Sequence, residues 1–249
     1  MKKFWGFLLV IVLMTSCGEY QSLLKSNDYN LVYKKAIEYY NKGDYQRAMN
    51  LLDGVRSVFV GQAKAQNIAY YRAFCSYNMK DYQIASDLFK QFIQTYPESS
   101  FAEECLYMMG FCDYKASPKP RLDQQVTEKA IREFQLYLSR YPYSMRKDKV
   151  NTYMDEMRDK LSYKAYLSAK NYYLREHYKA AVISLQNCLK DYPGSKYREE
   201  IMYMLFVSKY QMAVNSVEDK KVERYNNARE EYYYFADEYP NSRYAADVK

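Results

Sequence analysis

Few residues in this chain could do catalytic chemistry, and their spacing does not support it. His177 is the only histidine, and it has no cysteine or acid pair at ligand spacing, which favours a solvated turn residue. The adjacent pairs Glu103-Glu104 and Glu199-Glu200 have their carboxylates turned apart by helix geometry, and near helix N-termini the helix dipole favours them. No glycine-rich phosphate loop and no pairing of a nucleophile with a base occurs. The sequence therefore predicts no enzyme, no metal site and no cofactor.

Four cysteines after residue 17 have the surroundings of core residues. None forms a C-x-x-C motif, and Cys105 and Cys112 are two helical turns apart, about 10 Å along a helix, which is too far for a disulfide. Cys75 and Cys188 also lie among apolar neighbours in predicted helices. Disulfides are possible in an exported protein, but small buried core residues are the favoured interpretation.

The N-terminus has the pattern of an export signal. Lys2-Lys3 precede an apolar run over residues 4–14, which is too short to span a bilayer. The run Leu13-Met14-Thr15-Ser16-Cys17 resembles a lipobox, the signal of bacterial lipoproteins. That resemblance implies that residues 1–16 are a signal peptide and that Cys17 is the lipidated first residue. A buried or disulfide-bonded Cys17 is the alternative.

A short motif, Tyr-Pro-x-Ser, follows four predicted helices. Proline lacks an N–H and clashes with the preceding turn, so it ends each helix, and the serine is placed to cap the next one. Alanines and aromatic residues at three- and four-residue spacing upstream predict pairs of short helices with a narrow buried seam. The four motifs begin at Tyr96, Tyr141, Tyr192 and Tyr239.

These small and aromatic residues resemble the tetratricopeptide repeat, a 34-residue helical hairpin that stacks on its neighbours. The resemblance covers about residues 29–242 and implies an all-α, right-handed superhelix of about five hairpins. We predict a signal peptide at residues 1–16, a tether at 17–28 and a solenoid at 29–249. The predicted repeats cover about residues 29–57, 64–97, 99–142, 144–193 and 195–240.

Two of the predicted repeats depart from a regular pattern. The third has an expanded turn at Ser117-Pro118-Lys119-Pro120, and its first helix is preceded by a predicted capping box, Ser100-x-x-Glu103. The fourth has neither proline nor glycine between Pro142 and Pro193. Its first helix is therefore predicted to run from about Met145 to Leu174 and to extend about 20 Å beyond the stack, offering a docking face.

Every predicted first helix carries two tyrosines seven residues apart, about two turns, so both rings lie on one side. In tetratricopeptide repeats these offsets resemble positions that line a concave groove. The alternative is that the tyrosines only pack successive first helices together, and both roles can hold for different pairs. The pairs are Tyr33/Tyr40, Tyr70/Tyr77, Tyr107/Tyr114, Tyr166/Tyr173 and Tyr203/Tyr210.

The signal, the cysteine and the repeats together resemble the BamD family, lipoproteins of the β-barrel assembly machinery of the bacterial outer membrane. The run Phe89-x2-Phe92-Ile93-x2-Tyr96-Pro97-x-Ser99 is similar to runs in that family. The resemblance implies a periplasm-facing scaffold held to the outer membrane by its lipid. The implied partners are a BamA-like barrel-forming subunit, other lipoproteins of the machinery and C-terminal signals of unfolded outer-membrane β-barrel proteins.

The formal charge of +7 is a mild excess spread along the chain, and no nucleic-acid motif occurs, so no nucleic-acid partner is expected. The alternative function is that of another periplasmic repeat lipoprotein, one that coordinates cell-envelope or division proteins. A pull-down of the lipidated protein would separate the two.

The first three repeats are predicted to bind an extended or strand-like peptide that ends in an aromatic residue and a free carboxylate. Tyrosine suits such a groove because it offers a large contact area at low entropy cost. The amides of Asn41 and Asn78 would donate to the peptide backbone. Arg72 would approach the carboxylate, with a surface or partner-helix role as its alternative. Residues 146–210 are predicted to hold the folded assembly partner. The predicted peptide contacts are Tyr33, Tyr40, Asn41, Tyr70, Arg72, Phe74, Tyr77, Asn78 and Tyr107.

Overall fold

The structure is a computed structural model that describes residues 18–244, and every regular element in that range is helical. Helix α1 occupies residues 18–24, and ten further helices follow as five hairpins. The predicted all-α tetratricopeptide-repeat fold is thereby confirmed. The predicted signal peptide and Cys17 lie outside the described residues. The hairpins are α2 (Tyr29–Asn41) with α3 (Tyr45–Val55), α4 (Ala63–Asn78) with α5 (Tyr82–Thr95), α6 (Ala102–Ala116) with α7 (Gln125–Arg140), α8 (Lys147–Leu174) with α9 (Tyr178–Asp191), and α10 (Arg198–Val214) with α11 (Glu218–Glu238).

The helices pack as two compact units. Within the described residues, unit 1 holds residues 18–117 together with Gln125–Asn151, and unit 2 holds Pro118–Gln124 and residues 152–244. Unit 1 therefore contains the first three hairpins and the start of α8. Unit 2 contains the remainder of α8 and the last three helices.

Alanines lie where the two helices of a hairpin approach most closely. Ala36 and Ala48 in unit 1, and Ala169 and Ala181 in unit 2, have no exposed surface. A methyl side chain lets the backbones come near, and larger apolar residues fill the seam beside it. Leu185, fully buried on α9, is one of these, and burying such a side chain contributes about 1.5–3 kcal/mol.

The helix–turn–helix connections need one residue in the left-handed backbone region. Gly43 has a φ of 80° at the α2–α3 turn, and Lys80 and Glu176 have φ values of 68° and 60° at the equivalent turns of the second and fourth hairpins. Glycine adopts this conformation without a steric penalty, whereas other residues are strained there. The turn geometry is thus kept even where its sequence signal is absent.

Residues 18–24, which lie within the predicted tether, form α1 and pack on the first hairpin. Tyr20 and Leu23 of this helix are 8% and 5% exposed. The Tyr20 ring contacts Tyr39 edge to face at 5.9 Å, and its hydroxyl accepts a hydrogen bond from Asn50 Nδ2 at 3.0 Å. Helix α1 therefore covers part of the apolar face of the first hairpin.

Ser99 and Ser195 do not cap the helices that follow them, contrary to the prediction. Ser99 Oγ accepts from the N–H of Phe101 and Ser195 Oγ from that of Tyr197, which forms a turn two residues long. Helices α6 and α10 then begin without a side-chain cap. The predicted capping box at Ser100 is also wrong. Its glutamate, Glu103, instead accepts hydrogen bonds from distant residues.

Two other predictions from the sequence are confirmed. Helix α8 has 28 residues against 15 in α6, so the long first helix of the fourth hairpin is present. All four cysteines in the described range are free and buried, as expected of core residues. Burial raises the pKa of the Cys75 and Cys105 thiols to about 12, which keeps both protonated and unreactive.

Candidate peptide-binding surfaces

Tyr70, on α4, is the centre of the predicted binding surface in unit 1. Its ring lies 4.5 Å from Phe74 and 4.6 Å from Phe101, measured between ring centroids. Its hydroxyl donates to Glu104 Oε2 on α6 at 2.8 Å. Burial, followed by this contact with Glu104, raises the pKa of the tyrosine well above its usual value. Tyr70 therefore joins two successive first helices, as the packing interpretation requires.

Aromatic rings continue from Tyr70 in both directions along unit 1. Toward the first hairpin, Tyr71 connects Tyr70 at 5.5 Å to Tyr40 at 4.9 Å. Burial, the largest cause, raises the pKa of Tyr40 to about 12. Tyr33 lies further along α2, with its ring 6.1 Å from Phe59.

Toward the third hairpin, the rings continue from Phe74 to Tyr77 at 6.4 Å and from Tyr77 to Phe111 at 6.2 Å. Phe111 stacks on Tyr107 at 5.7 Å. We name the continuous set the aromatic surface of unit 1. It consists of Tyr40, Tyr70, Tyr71, Phe74, Tyr77, Tyr107 and Phe111.

The sequence prediction missed Phe111 and Tyr71. Phe111 follows Tyr107 by four residues, as Phe74 follows Tyr70 and Ile37 follows Tyr33. Extending that register to the third repeat would have found it. Tyr71 offers no such signal, because its position beside Tyr40 depends on how α2 and α4 pack.

Three predicted peptide contacts are engaged within the protein. Arg72 Nε lies 2.6 Å from Asp53 Oδ1 of α3, and its side chain is 11% exposed. Asn78 Nδ2 donates to the Phe74 carbonyl oxygen at 2.8 Å. Tyr107 is 7% exposed. A peptide would have to displace these contacts, so their roles stay predictions. Asn41 is exposed at the end of α2.

A different cation, Arg146, lies at the aromatic surface of unit 1. Its guanidinium carbon is 4.9 Å above the centroid of the Tyr107 ring. Its side chain is 40% exposed, lies 3.7 Å from Glu104 Oε1 and also hydrogen-bonds the Tyr137 hydroxyl. Because this ion pair is long and solvated, the guanidinium can still pair with an incoming carboxylate. Sequence reasoning did not assign Arg146 this role.

Unit 2 contains a cavity of about 780 Å³ along α8. Tyr166 and Tyr197 stack there with centroids 4.3 Å apart, and Tyr163 lies 5.3 Å from Tyr197. The cationic side chains that line it are Arg121, Lys164 and Lys170. Aromatic rings beside cations suit an acidic segment of a partner protein.

Lys170 and Tyr166 hold the carboxylate of Glu200 at the edge of this cavity. Lys170 Nζ donates to Glu200 Oε1 at 2.7 Å, and the Tyr166 hydroxyl donates to Oε2 at 2.9 Å. Burial opposes ionisation of Glu200, but these two hydrogen bonds outweigh it and lower the pKa of the carboxyl. Glu104 in unit 1 and Glu200 in unit 2 therefore accept equivalent hydrogen bonds from a tyrosine 34 residues earlier.

The remaining candidates for chemistry are dispersed in the structure. Exposed His177 lies in the α8–α9 turn, as predicted. Across residues 18–244, no cluster of three or more histidine, cysteine, aspartate or glutamate side chains has metal-binding geometry. In the same range, the helices lack an apolar stretch long enough to cross a bilayer.

A protein-family model described as "YfiO: Outer membrane lipoprotein" matches the chain in two overlapping stretches, residues 25–200 and 164–249. A search of curated proteins finds no significant match.

Similar solved structures include the TPR2AB domain of yeast Sti1 in a complex with pHSP90. That likeness has 12% identity and a TM-score of 0.41, over 82% of this chain and 77% of that one. The likeness to MamA from AMB-1 has 13% identity and a TM-score of 0.34, over 81% of this chain and 90% of that one. The likeness to a human IFIT1 dimer with PPP-AAAA has 16% identity and a TM-score of 0.27, over 91% of this chain and 58% of that one. All three TM-scores are below 0.5, so no functional inference is drawn from them.

Proposed function

Because the chain belongs to the YfiO family of outer membrane lipoproteins, we propose that it is a BamD-like scaffold of the β-barrel assembly machinery. In this proposal Cys17 carries the lipid anchor and the helical hairpins face the periplasm. The protein acts by holding partners together and not by catalysis. Its partners are a BamA-like barrel-forming subunit, other lipoproteins of the machinery and the C-terminal signals of unfolded β-barrel proteins.

The observation that carries the peptide-binding half of the proposal is the aromatic surface of unit 1. Its rings run without interruption across three hairpins, and each gap between neighbouring centroids is at most 6.4 Å. An extended peptide that ends in an aromatic residue would add a further ring to this series, and each aromatic pair contributes about 0.5–1.5 kcal/mol beyond area burial. Arg146 supplies the cation for the terminal carboxylate.

The docking half of the proposal concerns unit 2. Its cavity along α8 combines three stacked tyrosines with Arg121 and Lys164. We assign this surface to the folded assembly subunit, because rigid aromatic side chains beside cations are typical of the centre of protein interfaces. This division gives the two units different partners.

The peptide assignment is tested by removing the second tyrosine of two pairs. Tyr40→Ala/Tyr77→Ala removes two rings from unit 1, and Tyr173→Ala/Tyr210→Ala is the matched control at the same repeat positions of unit 2. The measurement is fluorescence anisotropy with a labelled peptide that ends in phenylalanine and a free carboxylate. We expect the unit 1 variant to bind about tenfold more weakly or worse, because two stacking contacts are lost.

The control variant should bind the peptide like the wild type, and circular dichroism should show both variants folded. Equal losses in the two folded variants would remove the assignment to unit 1. No loss in either would leave the tyrosines with a packing role alone.

The lipid anchor has its own test. Cys17→Ala removes the predicted acceptor and should move the protein from the membrane fraction to the soluble fraction. A folded, exported variant that remains membrane-bound to the wild-type extent would contradict the anchor.

A further inference from the structure

A second surface of unit 1 lies away from its tyrosines. A cavity of about 360 Å³ is lined by α5, α6 and α7. Leu106 and Met109 of α6 form its floor and are 1% and 5% exposed. At 100° per residue, they lie about 100° and 160° around α6 from Tyr107, so this cavity is distinct from the aromatic surface.

The rim of the cavity combines apolar and cationic side chains. Leu136 of α7 is 54% exposed although it is a large apolar residue. Lys90 of α5 and Arg132 of α7 also line the opening. Both are exposed, and neither makes an ion pair with residues 18–244. The rim therefore offers two free cations beside an uncovered apolar wall.

A buried carboxyl group gives an independent sign that something binds here. Glu133 lines the same cavity and is 8% exposed. Its Oε1 atom lies 3.7 Å from Lys129 Nζ, whereas its Oε2 atom is buried and has no hydrogen-bond partner among the described residues. Leaving a buried polar atom unpaired costs about 1–3 kcal/mol, and a bound segment that donates a hydrogen bond to it removes that cost.

We propose that this cavity is the docking site for an acidic amphipathic helix of a partner protein. The apolar residues of that helix lie against Leu106, Met109 and Leu136, and its carboxylates pair with Lys90 and Arg132. The inference is independent of the peptide binding assigned to the aromatic surface of unit 1.

A helix fits this site better than an extended strand does. The walls are helices whose backbone hydrogen bonds are made internally, so the cavity offers side chains and no row of backbone partners. An extended segment would leave its own backbone groups unpaired, whereas a helix satisfies them itself. Apolar residues at three- and four-residue spacing would face the floor, with acidic residues on either side.

The experiment uses the full chain and a designed, labelled 18-residue helix with leucines on one face and glutamates flanking them. A second helix with lysines in place of the glutamates tests the charge requirement. Leu136→Gln removes the apolar wall, and Lys90→Glu/Arg132→Glu reverses the rim charge. Ile183→Gln is the matched control, because Ile183 is also 54% exposed but lies on α9.

We expect the wild type to bind the glutamate helix at least tenfold more tightly than the lysine helix. The two cavity variants, Leu136→Gln and Lys90→Glu/Arg132→Glu, should each weaken that binding about tenfold. Ile183→Gln and Tyr40→Ala/Tyr77→Ala should leave it unchanged. Equal affinity for the two helices, or equal loss in the Ile183 control, would overturn the proposal. So would binding to anionic vesicles that requires Lys90 and Arg132 while the glutamate helix fails to bind, since the ligand would then be a lipid surface.

Discussion

Unit 1 and unit 2 share a tyrosine–glutamate contact but surround it with different chemistry. In unit 1 the Tyr70 hydroxyl donates to Glu104, and in unit 2 the Tyr166 hydroxyl donates to Glu200, in each case 34 residues further along the chain. One turn after the tyrosine, unit 1 has Phe74 and unit 2 has Lys170. Phe74 extends a series of rings, whereas Lys170 neutralises the carboxylate.

This difference shows how a repeat protein changes its surface without changing its frame. The hydroxyl–carboxylate contact holds successive first helices together in both units. The residue one turn later differs between the units: Phe74 lies outside the contact, whereas Lys170 donates to both the Tyr166 hydroxyl and Glu200. In unit 1 the phenylalanine adds a ring to the aromatic surface, whereas in unit 2 the lysine neutralises Glu200, and Arg121 and Lys164 supply the positive charge beside the tyrosines. The two surfaces therefore suit different partners.

The largest expected effect comes from truncating the residue that differs. Phe74 lies 4.5 Å from Tyr70 and 5.0 Å from Phe89, between ring centroids. Phe74→Ala should lower the free energy of unfolding by about 2–3 kcal/mol, because a partly buried ring is lost. Lys170→Ala should cost less than about 1 kcal/mol, because a third of its side chain is exposed. Urea denaturation measures both changes in the free energy of unfolding. Equal losses for the two variants would contradict the proposed difference between the units.

A second prediction concerns alkaline pH and unit 1. Burial, followed by the hydrogen bond and charge of Asp113, raises the pKa of Glu133 to about 8. The pKa of Glu133 is higher in the folded than in the unfolded protein. Protonation of Glu133 therefore contributes to the free energy of unfolding below about pH 4.5, and this contribution is lost as the pH rises through 8. Glu133→Gln should therefore be on the order of 2 kcal/mol more stable than the wild type at pH 9, with little difference at pH 5. Thermal melts of wild type and variant at each pH across this range measure the difference in stability. A difference that does not change between pH 5 and pH 9 would contradict the prediction.

The third prediction concerns acid and unit 2, where the sign is opposite. The pKa of Glu200 is lower in the folded than in the unfolded protein. The ionised carboxylate therefore stabilises the folded protein above the ordinary pKa of a carboxyl group, and this stabilisation is lost as the pH falls through the pKa of the folded state. Glu200→Gln should cost about 1 kcal/mol near pH 7, because the charged hydrogen bonds to Lys170 and Tyr166 weaken. The difference should shrink on acidification. A cost that is the same at pH 7 and pH 3 would refute this.

The smallest expected effect is at the hairpin turns, which occur in both units. Lys80→Gly in unit 1 and Glu176→Gly in unit 2 relieve strain in the left-handed region but increase the freedom of the unfolded chain. We expect a gain of less than about 1 kcal/mol for each. Gly43→Ala should instead cost about 1 kcal/mol. Thermal denaturation should show the opposite signs, and a gain for Gly43→Ala would contradict the turn assignment.

The sequence predicts the features of this fold that depend on neighbours along the chain. Helix α2 begins at Tyr29, where the first repeat is predicted to begin, and it ends at Asn41, before the turn that contains Gly43, because apolar spacing and a glycine turn are local signals. The motif prolines mark the helix ends for the same reason. The long α8 follows from the lack of any proline or glycine between Pro142 and Pro193.

Contacts that depend on distant neighbours were not predictable from one sequence. Ser144 Oγ donates to Glu103 Oε1 at 2.7 Å across 41 residues, a contact that no local sequence pattern indicates. Arg72 is less available than Arg146 because it lies 2.6 Å from Asp53 of α3 and its side chain is 11% exposed, against 40% for Arg146. Tyr20 and Leu23 occupy a single helical turn, which is too short to establish a period, and only their burial against the first hairpin shows what they do.

The central claim is that the two units bind different partners, and site-specific photo-crosslinking tests it most directly. The photoreactive residue p-benzoylphenylalanine replaces Tyr77 in unit 1 or Asn171, which lines the unit 2 cavity. We expect the Tyr77 site to crosslink to unfolded β-barrel proteins and the Asn171 site to crosslink to the folded barrel-forming subunit. Crosslinking of both sites to the same partner, or the reverse assignment, would contradict the account.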